Sequence, residues 1–199
     1  MGIADLFMPG QRRRALGQSI EGVVGVARSR AEADGLDESR ARLWNMLCDA
    51  SGQTLQQLLV KNNDRRLDWG LKKHSKRVSD PVLVVLFWWM LLYQIVLFKN
   101  RGLEGYTPDD VVDAMYEIAR RFVETEFARM EVATDPPGPW SEGWRRQYPI
   151  ESAMEFYNAT YSMLNLKNDL SLRVEHVSHF TTLTEQAYDR LAAETVFGE

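Results

Sequence analysis

Two histidines three residues apart, His176 and His179, are the side chains of this chain best spaced for chemistry, and Glu175 lies one turn before His179. On a helix, Leu172, His176, His179 and Leu183 share one stripe. Two imidazoles so placed beside a carboxylate can fill two positions of a metal site. A third ligand would have to come from another helix. No Glu-x-x-His, His-Glu-x-x-His or Cys-x-x-Cys completes a metal pattern. Hydrogen-bonded, partly buried histidines are the commoner meaning of such a pair, so no metal and no cofactor is expected. Purified protein should carry no stoichiometric zinc or iron. There is also no Gly-rich phosphate loop and no Gly-x-Ser-x-Gly. The single Cys48 stands among Leu43, Trp44, Met46 and Leu47, and reads as a buried, inert thiol in a reducing compartment.

Arg173-x5-His179 resembles the Arg-x(4–6)-His signature of HEPN-family ribonucleases, which are all-helical. The resemblance implies a ribonuclease site built on Arg173 and His179. It covers seven residues, and Val174 stands where that family commonly has a polar residue, often Asn. A continuous helix sets two residues six apart about 240° around its axis, at odds with a shared site. An HEPN-like ribonuclease, or a ligand-binding bundle using Arg173, His176 and His179, is therefore the alternative to a non-enzymatic reading.

Contact surfaces have a stronger signature. Trp140, Trp144, Arg145, Arg146 and Tyr148 are residue types enriched in interface hot spots. They lie in a segment, Ala133 to Pro149, that opens with Asp135-Pro136-Pro137-Gly138-Pro139. At this length it exceeds an ordinary connection and reads as an interaction arm. Phe7, in the apolar lead Met1 to Pro9, is a further contact residue.

Charge is unevenly distributed. Residues 1–101 carry 16 Lys and Arg against 10 Asp and Glu, net +6; residues 102–199 carry 8 against 18, net −10. The basic half concentrates between Lys61 and Arg77, with Lys72, Lys73, Lys76 and Arg77 suited to an anionic partner such as a membrane surface. Trp69 adds one stacking ring, but the chain is acidic overall and has no nucleic-acid motif, so nucleic acid is disfavoured.

These surfaces need a scaffold, and Val82 to Phe98 sets its character. Within it only Gln94 and the Tyr93 hydroxyl are polar. Such a segment must leave water entirely, into the centre of a fold or into lipid. Seventeen residues rise about 25 Å, short of a hydrocarbon core of about 30 Å. Trp88 and Trp89 fall at its midpoint, where membrane tryptophans are uncommon. A core helix is therefore favoured over a span. Were it to span, the excess of Lys and Arg before it would put the N-terminus in the cytoplasm.

Around it the pattern predicts helices throughout. One runs from about Gln11 to Ala33, where Ser19, Gly22, Gly25 and Ala27 permit close backbone approach, and Gly35 ends it. Asp37 caps the next, with Leu43, Met46, Leu47 and Ala50 inward. Gly52 breaks that helix, and Thr54-x-x-Gln57 opens a short one. Asp80-Pro81 starts the apolar helix and Lys99 to Gly102 ends it. Thr107-Pro108 opens a helix reaching about Glu131, with Val111, Met115, Ile118 and Phe122 on one face and Glu117 paired with Arg121. Ser152-x-x-Glu155 caps a last helical stretch, broken near Asn165 to Asp169 and running through Leu191.

The expected fold is thus all-α, a single domain over 1–199, with six or seven helices bundled around Val82–Phe98. The expected function is a non-enzymatic interaction or structural subunit acting through a protein partner or self-association. It is cytoplasmic, with membrane association or insertion through Val82–Phe98 as an alternative. Met1 to Leu6 lacks the basic and apolar regions of a signal peptide, and Leu6 stands where a myristoylation motif wants Ser or Thr.

Overall fold

A computed structural model describes residues 9–61, 80–107, 112–131 and 170–197. Five helices pack together: α1 (Pro9–Ala33), α2 (Glu38–Leu55), α3 (Asp80–Arg101), α4 (Val112–Arg129) and α5 (Leu170–Phe197). A π-helical segment, Gln56–Lys61, extends α2. The described residues are almost all helical and hold no strand. The helix expected after Ser152 lies outside them until Leu170, as does the Ala133–Pro149 segment.

Local chemistry fixes most boundaries. Pro9, pre-set for the first helical position, opens α1 two residues earlier than expected. At its other end Gly35 takes φ 71°, its N–H reaches Glu32 O at 3.1 Å, and Leu36 N–H reaches Ala31 O at 3.1 Å. That paired closure absorbs the last free carbonyls of α1. The Asp37 carboxylate accepts from Arg40 N–H at 2.9 Å and caps α2.

Gly52 does not break α2. The helix runs through it, and glycine is suited there because α1 crosses so closely that a side chain would have to displace Val24. A Cβ built on Gly52 would sit 2.5 Å from Val24 Cγ2. Nor does Thr54 open a new helix. Its hydroxyl donates back to Ala50 O at 2.9 Å, a bond within α2, and the chain widens into the π-helical turns. Trp44 Nε1–H donates to Ala27 O at 2.8 Å and Gln56 Nε2 to Gly17 O at 3.1 Å, locking the α1–α2 crossing at two depths. Ala27 is buried, whereas Gly22 and Gly25 are exposed on the other side of α1.

Helix α3 is the axis of the fold. Every side chain from Leu83 to Phe98 is buried, Gln94 included. Its end matches the sequence: Gly102 takes φ 69° and donates to Phe98 O at 2.8 Å, and a tight turn closes through Leu103 and Tyr106. α2 brings Leu43, Trp44, Leu47, Cys48 and Leu55 to the core; Met46 is only half-buried at its margin. α4 brings Val112, Met115, Ile118, Phe122, Val123 and Phe127. Phe122 stands edge-on to Phe87 with ring centres 5.8 Å apart. Val111 lies outside the described residues.

The Glu117–Arg121 pair does not form. Arg120 takes Glu117 at 3.0 Å and Glu124 at 2.8 Å, and Arg121 reaches Asp34 at the end of α1. A tertiary partner with a fixed carboxylate outcompetes a surface pair of this class, which contributes only about 0.3–0.5 kcal/mol.

Candidate functional site

The contact residues expected from sequence lie outside the described residues: Phe7, Trp140, Trp144, Arg145, Arg146 and Tyr148, and the basic set Lys72, Lys73, Lys76 and Arg77. Of the chemically suggestive group, the backbones of Arg173, Glu175, His176 and His179 belong to one continuous helix, α5. Their side chains lie outside those described. On that helix Arg173 and His179 are about 240° apart, so the helix alone does not bring them together. Leu183, the last member of the histidine stripe, packs against the core. Among the described residues no three His, Cys, Asp or Glu side chains are grouped to hold a metal ion.

The other candidate nucleophile is sealed. Cys48 is fully buried, and burial pushes its thiol well above the ordinary range, reinforced by the Asp49 carboxylate and opposed only by Arg28. A thiol so held stays protonated and unreactive near neutral pH.

What the structure does assemble is a polar seam where α5 lies on α3. Along α5, Thr184, Glu185, Tyr188 and Asp189 recur at one-turn spacing and share a face. Tyr93, Gln94 and Arg101 meet them from α3. The Tyr93 hydroxyl donates to Glu185 Oε1 at 3.3 Å. Gln94 Nε2 donates to Thr184 O at 3.1 Å, in a fully buried setting. Arg101 forks between Glu185 at 3.5 Å and Asp189 at 3.1 Å. The Tyr188 hydroxyl donates to Gly102 O at 2.7 Å, just past the end of α3.

Burial holds the Tyr93 phenol far above its usual range, and the Glu185 charge and hydrogen bond add to the effect. Tyr188 is likewise raised, mainly by burial, with Arg101 opposing and Asp189 adding. Both phenols therefore serve as permanent donors. The hydrogen bonds and ion pairs of the seam dock α5 on α3.

Sequence reasoning marked Tyr93 and Gln94 as the polar exceptions in an apolar run. It missed their partners. The available signal was the stripe Thr184, Tyr188, Leu191 at i, i+4, i+7, in which a hydroxyl pair replaces the usual aliphatics. No family model, curated protein or solved structure matches the chain.

Proposed function

We propose that this chain is a non-enzymatic helical interaction subunit, working through protein–protein contacts. It is a bundle of six helices when the helix that the sequence places after Ser152 is counted, or seven with the π-helical segment counted apart. The observation that supports this reading is the outer face of α1. An added Cβ at Gly22 or Gly25 meets nothing within 4 Å, and Val26 beside them is 39% exposed. Each mid-helix glycine costs roughly 1 kcal/mol relative to alanine. Unlike Gly52, neither is needed by a neighbour among the described residues. Small residues facing outward let a second helix approach the backbone closely. The Trp140–Tyr148 segment supplies the aromatic and arginine anchors that such contacts favour.

A Gly22→Leu/Gly25→Leu double variant should lose self-association, read by sedimentation, or a captured partner, read by affinity isolation, while keeping helical content. Trp144→Ala should do the same without shifting the melting temperature. Unchanged association in both variants would end this reading. Unfolding of the isolated monomer by Trp144→Ala would instead make that segment intramolecular packing.

A second reading, insertion of Val82–Phe98 into a membrane with the N-terminus in the cytoplasm, is supported by the lack of a polar face on α3. Leu83–Arg101 is long and apolar enough to span, although most of it is buried inside the protein. Retention in carbonate-washed membranes would favour this reading, and complete release would remove it.

A further inference from the structure

We propose that α5 is a releasable strap over α3: it opens as a unit and uncovers the apolar helix while α1, α2 and α4 stay packed. The inference stands apart from the contact surfaces above and rests on the polar seam that holds α5, which also packs on α2, to α3. α2 and α4 cover the core with large apolar side chains, among them Leu43, Trp44, Leu47, Met115, Phe122 and Phe127. Among the described side chains of α5, those fully in the core are Thr184, Ala187, Tyr188 and Leu191. Only Leu191 is a large aliphatic. Tyr188 is buried beside it and Leu183 packs at the margin, and direct polar contacts run alongside: Tyr93 to Glu185, Gln94 to the Thr184 carbonyl, Arg101 to Glu185 and Asp189, and Tyr188 to the Gly102 carbonyl.

Two of these features weaken the strap in a controllable way. The Arg101 fork is open to solvent, with the Arg101 side chain 43%, Glu185 40% and Asp189 67% exposed, so salt screens it. Gln94 Oε1 is buried with no donor among the described residues. Turning the amide over would aim its oxygen at the Thr184 carbonyl oxygen, so the orphan persists in either orientation. A hydrocarbon at this position would avoid that cost. The deepest polar group of the seam thus holds α5 less tightly than a leucine would.

Thiol labelling of native full-length protein tests this, in a Cys48→Ala background. One reporter is Ala187→Cys, on the buried face of α5. The other is Ala119→Cys, on the buried face of α4. The Ala187→Cys thiol should label faster than the Ala119→Cys thiol, and sodium chloride should widen the gap. Arg101→Gln should accelerate the α5 reporter about threefold, and Tyr188→Phe about fivefold, with the α4 reporter unmoved. Gln94→Leu should slow the α5 reporter. Equal labelling at the two positions, indifference of the α5 reporter to salt, or faster labelling in Gln94→Leu would each overturn the strap. The salt series needs no further substitution, so the result stands even if a seam variant fails to fold.

Discussion

At the residue scale, Gly52 and Leu86 mark opposite demands on the same interior. Gly52 is where α1 and α2 come closest, and Val24 is a stiff β-branched side chain that cannot swing far from an added methyl. Helix propensity alone would reward Gly52→Ala by up to about 1 kcal/mol. Overpacking of about 1–3 kcal/mol opposes it and should win. The variant should therefore melt below the parent, and Val24→Ala should restore part of the loss in the double variant. A Gly52→Ala protein that melts higher would place that crossing elsewhere. Leu86 is almost fully buried on α3. Leu86→Ala should cost roughly 2–5 kcal/mol through the cavity it leaves. A denaturant midpoint unmoved by this substitution would contradict the buried position of α3.

At the element scale, α1 carries Gly22 and Gly25 on its outer face, and stability measurements separate them from Gly52 on α2. Gly22→Ala and Gly25→Ala add a methyl that meets nothing among the described residues, so each should stabilise the isolated monomer by roughly 0.5–1 kcal/mol. A loss of monomer stability in either would mean that the outer face of α1 packs within the chain. The same comparison explains what could be read in advance. Asp37, Gly35 and Gly102 act through neighbours within about four positions, so their meaning is local and the helix ends they set were legible, as was the start of α3 at Asp80. The apolar face of α4 was legible because Met115, Ile118 and Phe122 repeat at the helical period. Gly52 was not, because its role depends on Val24, a residue on another helix. Arg121 was not, because Asp34 lies 87 positions away and Arg120 takes the expected carboxylate. The seam was half legible. Gln94 had to have a buried partner, but nothing local says that the partner is the backbone of Thr184, 90 residues on.

At the scale of the whole molecule, three buried acids tie the fold to alkaline pH. The Cys48 thiol and the Tyr93 and Tyr188 phenols all titrate above their ordinary ranges, with burial the leading cause for each. The unfolded chain gives up these protons first, near about pH 8.5 for a thiol and about pH 10 for a phenol. Between those values and the higher folded ones the unfolded state binds fewer protons. Stability must then fall as pH rises. The contribution is complete below about pH 8 and is withdrawn above it, first through the thiol and then through the two phenols. The net charge of −4 grows more negative over the same range and adds general repulsion, so the parent's decline alone does not identify the cause. The Tyr93→Phe/Tyr188→Phe double variant does. It loses two hydrogen bonds of the seam and should start about 1–3 kcal/mol less stable at neutral pH. It has nothing to ionise at those positions, so its urea midpoint should decline less steeply than the parent's between about pH 9 and 11. Parallel declines would show that the two phenols do not set the alkaline limit of the fold, and would leave that limit to Cys48 and the overall charge.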